Sequence, residues 1–98
     1  MNEALAHLSR EQLEQLAEAY AKNAIALDGV WFQATERDVG MEAAMRYDCE
    51  AWERFGLTEA RRLKALLGLG EHPGLDGLAA ALLLRFQSVA NACTVRRE

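Results

Sequence analysis

The chain has 98 residues and a mass of 10.9 kDa, which leaves room for one small hydrophobic core and predicts a single domain over residues 1–98. A net charge of -4 with 27% charged residues is typical of a mildly acidic soluble protein. It counts against a nucleic-acid partner, because binding phosphates requires a basic face. The longest apolar run, residues 78–84, is far shorter than the roughly 20 residues of a membrane span, so no membrane partner is predicted.

The first residues and the cysteines indicate the cellular compartment. The first residues form neither a basic leader nor an apolar segment, so a secretory signal is not predicted. Cys49 and Cys93 lie far apart and lack the spacing of a metal site or a redox motif. We therefore expect a cytoplasmic protein with reduced thiols. A disulfide between the two cysteines stays open as an alternative if their helices pack closely.

The apolar residues are of the kind that favours helices. Alanine and leucine contribute 18 and 15 residues, whereas isoleucine and valine together contribute five. Sheets prefer β-branched and aromatic residues, and the only proline is Pro73. The composition thus predicts an all-α fold.

The first long helix is predicted over about residues 9–38. Ser9 and Gln12 have the spacing of a capping box, and Gly40 follows as a stop. Gly29 lies within this helix, where a glycine lowers helix stability by roughly 1 kcal/mol relative to alanine. Its presence at this position predicts a close helix crossing or a slight bend. Apolar residues recur at alternating steps of four and three, which is typical of one packed face: Leu13, Ala17, Tyr20, Ala24, Leu27, Trp31 and Ala34.

Two further helices are predicted over about residues 41–67, ending at Gly68, and 74–95. Short connections predict that the three pack as an antiparallel three-helix bundle. The last helix has no stop signal, so the chain is expected to be either complete or the N-terminal part of a longer protein. Exposed leucines such as Leu83 and Leu84 predict a homo-oligomer.

Charged residues occupy positions on these apolar faces. Asp48 and Glu59 lie on the seam of the second helix, and Asp28 lies on the first, one turn before Trp31. Because an unpaired buried carboxylate is costly, each should have a partner or a raised pKa. Arg62 follows Glu59 by three residues.

Three interpretations of these charges are open. In the first, Arg62 and Arg85 neutralise Glu59 and Asp48 and thereby fix helix register. In the second, the acids line a pocket with Trp31 and Trp52 at its base. This pocket would bind a cationic ligand or a metal, or perform acid–base chemistry. In the third, the charges are simply solvent-exposed.

No cofactor is predicted. Neither histidine follows a glutamate by three residues, as a di-iron bundle requires, and a hard cation held by Asp28, Asp48 and Glu59 has no supporting ligand spacing. The charge of Asp48 beside Cys49 disfavours a reactive thiolate. The glycines that follow the second helix lack the lysine of a phosphate loop.

One pattern resembles a known family. The run Ala26–Phe32, followed by Glu36, Gly40, Ala44, Asp48, Trp52 and the segment Glu59–Lys64, is similar to an uncharacterised family of cytosolic bacterial and archaeal proteins. That family more distantly resembles L-2-amino-thiazoline-4-carboxylate hydrolase-like proteins, which continue into a cysteine-containing second half. The resemblance covers about residues 20–90 and marks Asp28, Glu36, Asp48 and Glu59.

Two functional hypotheses follow. The first is a self-associating helical binding or interaction domain whose acid–arginine network is structural. The alternative is the helical half of a small-molecule, hydrolase-like enzyme with a carboxylate-lined pocket. The candidate pocket residues are Asp28, Trp31, Glu36, Asp48, Trp52, Glu59, Arg62 and Arg85.

Overall fold

The computed structural model describes residues 2–70 and 74–91. These ranges contain helices and no strand, which confirms the all-α class. In chain order the helices are α1 (Glu3–Ala6), α2 (Arg10–Val39), α3 (Met41–Leu67), α4 (Gly74–Leu84) and α5 (Phe86–Ala90). None of the helices in the described ranges is both long and apolar enough to cross a membrane.

The first turn of α2 contains the predicted capping box. The Ser9 hydroxyl accepts a hydrogen bond from the Gln12 N–H at 3.1 Å, and the Gln12 side-chain oxygen accepts one from the Ser9 N–H at 2.9 Å. Two N–H groups that have no partner within the helix are satisfied in this way. The spacing of the two residues was therefore enough to predict where α2 begins.

Glycines end both long helices. Gly40 alone connects α2 to α3, at φ 87° and ψ 168°, and its N–H donates to the Glu36 carbonyl at 2.8 Å. Gly68 ends α3 in the left-handed conformation at φ 68°. Both conformations are ones that a side chain disfavours, so substitution at either position would strain the connection. After Gly40, α3 turns back along α2, which brings Asp28 and Asp48 close together.

The predicted continuous third helix is wrong. Arg85 is extended, at φ -60° and ψ 149°, and separates α4 from α5, while Asn91 after α5 is extended again. The Ser88 hydroxyl of α5 donates a hydrogen bond to the Leu82 carbonyl at 2.7 Å. This carbonyl lies in the last turn of α4, where backbone carbonyls have no partner within the helix. The rest of the predicted helix, residues 92–95, lies outside the described residues.

This break also changes the predicted architecture. α4 packs against α3, whereas the short α5 packs against α2. The described residues thus form a hairpin of two long helices with a broken helical segment against it, and the expected antiparallel three-helix bundle is not confirmed. The physical reason is the extended conformation of Arg85, which ends α4, while Glu59 of α3 accepts a hydrogen bond from the first N–H of α5.

The packing leaves much apolar surface open. Of the described apolar residues only Ala21 and Ala44 are buried, while Leu27 and Trp31 on the predicted packed face of α2 are 68% and 48% exposed. A Cβ placed on Gly29 would meet no atom within 4 Å, so the close crossing predicted there is absent from the described residues. The radius of gyration, 16.2 Å, exceeds the roughly 13 Å of a compact chain of this length.

Candidate functional site

An apolar groove lies where α2, α3 and α5 meet. It encloses about 350 Å³, within the range of roughly 300–1,000 Å³ that is typical of small-molecule sites. Of the described residues that line it, none is basic. The lining residues are Ala24, Leu27, Asp28 and Trp31 of α2, Asp48, Ala51, Trp52 and Phe55 of α3, and Phe86 of α5.

Three aromatic rings form one end of the groove. Trp52 stacks on Phe86 with ring centroids 5.4 Å apart, and Phe55 packs edge-on against both rings at 5.5 Å. Edge-on and offset-stacked contacts are the favoured arrangements of aromatic pairs. Because Trp52 and Phe55 lie one turn apart on α3, the helix presents both rings to α5. The cluster therefore attaches α5 to the α2–α3 hairpin and shapes the groove at the same time.

Two carboxyl groups face each other across the hairpin. Asp28 of α2 and Asp48 of α3 interact with each other, and Trp52 lies beside Asp48. Two ionised carboxylates would repel each other, and neither could donate a hydrogen bond. A hydrogen bond between the two groups therefore forms only when one of them carries a proton.

The environment of Asp48 raises the pKa of its carboxyl group. Burial of its carboxyl group raises the Asp48 pKa above the ordinary value of 3.8, and the hydrogen bond and charge of Asp28 raise it further, against a smaller lowering by the Trp52 hydrogen bond. One oxygen, Oδ1, is shielded from solvent and has no hydrogen-bond partner within the described ranges. An unpartnered oxygen costs less in a neutral acid than in a carboxylate, so the geometry and the pKa direction agree.

Replacing Asp48 with asparagine is expected to raise the free energy of unfolding by about 1 kcal/mol near neutral pH, because the amide donates to Asp28 without needing a proton. A raised folded pKa means that the folded state binds more protons than the unfolded state. The stability linked to Asp48 is therefore fully present below its ordinary pKa and is lost as the pH rises through the raised folded value.

Urea unfolding of both chains across this pH range tests the expectation. The advantage of the asparagine variant should grow with pH, whereas Asp38→Asn, at an exposed position outside the groove, should show no such trend. A constant difference at every pH would contradict the raised pKa of Asp48.

A buried carboxylate lies at the break between α4 and α5. Glu59 of α3 is only 9% exposed and accepts a hydrogen bond from the Arg85 Nε at 2.7 Å and from the Phe86 N–H at 3.2 Å. The carboxylate thus pairs with a charge and caps the first turn of α5 from another helix. This ion pair was part of the predicted structural network.

The predicted site residues fall into separate places. Asp28, Trp31, Asp48 and Trp52 line the groove, and they do so together with three apolar residues that the sequence indicated only as core: Leu27, Phe55 and Phe86. Their positions on the apolar seams were the only available signal.

The remaining four predicted residues lie outside the groove. Glu59 and Arg85 line a smaller depression of about 230 Å³ between α3 and α4. Glu36 and Arg62 line neither this depression nor the groove. Within the described residues, Arg62 pairs with neither Glu59 nor Asp48; Asp48 contacts Asp28 instead.

The described residues contain no group of three or more histidine, cysteine, aspartate or glutamate side chains close enough to hold a metal ion. Cys49 is free and exposed. Cys93 lies outside the described residues, so the expected reduced state of both thiols stays a prediction and the disulfide stays the alternative.

Residues 6–98 match a protein family described as a family of unknown function, DUF6125. The chain belongs to this family. Membership of DUF6125 spans nearly the whole chain and agrees with the expected family of unknown function. No curated protein matches the chain, and no solved structure matches it either. The groove, the carboxyl pair and the Glu59–Arg85 pair are therefore the features from which a function of this DUF6125 member has to be argued.

Proposed function

We propose that this chain is a cytoplasmic helical interaction domain that associates with a second copy of itself. The observation that carries the proposal is the extent of exposed surface. The accessible area is 7947 Å², whereas a compact protein of this mass exposes roughly 5,600 Å². A chain with so little buried apolar surface is marginal as a monomer, because burial supplies most of the stabilising free energy.

The exposed residues that support this association lie on one face of α2. We define the α2 stripe as Leu13, Tyr20, Leu27 and Trp31, which are exposed by 41%, 63%, 68% and 48%. Their spacing by seven, seven and four residues places them along one side of the helix, as in a coiled-coil seam. Two hairpins that pair along this stripe would form a four-helix arrangement.

The areas also fit a dimer. The exposed excess of roughly 2,300 Å² per chain is larger than the roughly 800 Å² per partner of a standard interface and falls within the size of obligate homodimer interfaces. A second copy is therefore large enough, and apolar enough, to cover the α2 stripe and the mouth of the adjoining groove.

Replacing Leu27 with glutamate is expected to weaken self-association by roughly hundredfold or more, because it removes an apolar contact and introduces a charge into the interface. Sedimentation velocity on a concentration series measures the effect. The unmodified chain should sediment as a dimer of 10.9 kDa subunits, and the variant should remain monomeric over most of the series.

The matched control is Leu57→Glu. Leu57 of α3 is 62% exposed, close to the 68% of Leu27, but it lies outside the groove. This control should leave the dimer intact. A monomeric unmodified chain at high concentration would contradict the association, and equal effects of the two variants would contradict the assigned face.

The groove favours a second candidate function, a small-molecule site such as that of a hydrolase-like enzyme. A carboxyl group with a raised pKa beside a second carboxyl group is an arrangement used for general acid–base catalysis, and Asp48, whose pKa is raised, lies next to Asp28 in a groove of small-molecule size. Its first requirement is ligand uptake by the groove. Both tryptophans of the chain line the groove, so ligand uptake should change their fluorescence.

A further inference from the structure

We infer that the groove binds a small organic cation, an ammonium group attached to an apolar body, with the ammonium group against the Asp28–Asp48 pair. This inference rests on the second candidate function, the small-molecule groove, and adds the class of its ligand. It does not depend on self-association.

The first argument is charge. Asp28 and Asp48 place two carboxyl groups in a groove that is otherwise almost entirely apolar. A charge removed from water is normally matched by an opposite charge. No basic side chain among the described residues lines the groove, and Arg85 is already paired with Glu59 at 2.7 Å. A cationic ligand would therefore supply the missing counter-charge.

The second argument is the lining. Trp31, Trp52 and Phe55 border the same space as the two carboxyl groups. Aromatic faces attract cations through their quadrupoles, and they also bind apolar groups. An inorganic cation would satisfy only the carboxylate and would leave the rings uncovered. An ammonium with a hydrocarbon body contacts both parts of the groove.

The third argument concerns the size and the charge of the ligand. A volume of about 350 Å³ corresponds to roughly a dozen water molecules at about 30 Å³ each, which is room for one ring and a short side chain. Anionic ligands are disfavoured by the two carboxyl groups, so discrimination between charge types is the property to measure.

The experiment titrates the full chain with three ligands that share a ring but differ in charge: benzylammonium, benzyl alcohol and benzoate. Tryptophan fluorescence reports binding directly, because Trp31 and Trp52 are the only tryptophans and both line the groove. Benzylammonium is expected to bind roughly tenfold to hundredfold more tightly than benzyl alcohol, which is the usual value of a charge-assisted hydrogen bond. Benzoate is expected to bind more weakly than either.

Variants locate the effect. Asp28→Asn combined with Asp48→Asn should remove most of the preference for the ammonium, because Asp48 ionises more readily once Asp28 alone is replaced. Binding of benzyl alcohol should be unchanged, and Asp38→Asn, at an exposed carboxylate outside the groove, should change neither. Circular dichroism checks that each variant is helical. The ligand comparison on the unmodified chain remains decisive if the double variant fails to fold.

The outcomes separate the two proposals. Equal binding of benzyl alcohol and benzylammonium would overturn the cation inference while leaving a small-molecule groove in place. The absence of binding by all three ligands would overturn both. Because association of two copies would narrow the groove, the titration is repeated at a chain concentration below the association midpoint. A cation preference there belongs to the groove of a single chain, and its absence there overturns the inference.

Discussion

Replacing Glu59 with alanine is expected to lower the free energy of unfolding by about 2 to 3 kcal/mol. Removing one partner of a buried ion pair typically costs roughly 3 to 5 kcal/mol, and the lower figure allows for solvent screening of Arg85. The Arg85 side chain is 37% exposed, against 10% for Glu59. The substitution also leaves the Phe86 N–H without its acceptor, and α5 loses the group that caps its first turn.

Two further variants serve as references for this loss of stability. Glu59→Gln retains an oxygen that can accept from the Phe86 N–H but loses the charge, so its effect should lie between those of the alanine variant and the unmodified chain. Glu50→Ala removes an exposed ion pair with Arg54 on the same helix and should cost less than about 0.5 kcal/mol. Urea unfolding followed by circular dichroism compares the three. Equal losses from Glu59→Ala and Glu50→Ala would show that the buried pair has no special contribution.

Replacing Phe86 with alanine is expected to destabilise the chain by a similar amount, about 2 to 3 kcal/mol. Removing a fully buried phenylalanine costs roughly 3 to 5 kcal/mol, and Phe86 is half-buried. Its ring stacks on Trp52 at 5.4 Å and packs against Phe55 at 5.5 Å, so both aromatic contacts are lost. A five-residue helix such as α5 has no stability of its own and depends on this anchor.

The control for Phe86→Ala is Phe86→Leu, which keeps most of the apolar volume and should cost less than about 1.5 kcal/mol. Unfolding is followed by the fluorescence of Trp52 and by circular dichroism. A negligible loss in the alanine variant would contradict the view that the aromatic cluster attaches α5 to the hairpin. The same variant should also enlarge the groove at the end where Phe86 lines it.

The Glu59–Arg85 pair and the Asp28–Asp48 pair each place carboxyl groups between packed helices, but these groups have different partners. Glu59 accepts hydrogen bonds from a guanidinium and from a backbone N–H. Asp48 has no such cation beside it, and burial together with the neighbouring Asp28 raises its pKa. The first arrangement is a structural contact at a helix break. The second places two carboxyl groups in a groove whose described lining includes no basic residue, which is why the proposed ligand site lies there.

The amino-acid sequence by itself determined the all-α class and where the long helices begin and end. The alanine–leucine bias excludes a sheet, the Ser9–Gln12 spacing begins α2, and Gly40 and Gly68 end helices because their positive φ values suit a residue without a side chain. These are local effects, set by neighbouring residues within one turn. For the same reason, helical spacing alone is enough to mark the acids at seam positions as unusual.

Only the tertiary structure decided which of these residues meet. The apolar periodicity that continues through Phe86 predicts one helix, yet the chain breaks at Arg85 because Glu59 from α3 caps the next turn. Asp48 contacts Asp28 rather than an arginine because α3 turns back along α2 after a single residue. Both outcomes depend on contacts between residues 20 to 27 positions apart, and helix periodicity carries no information about those.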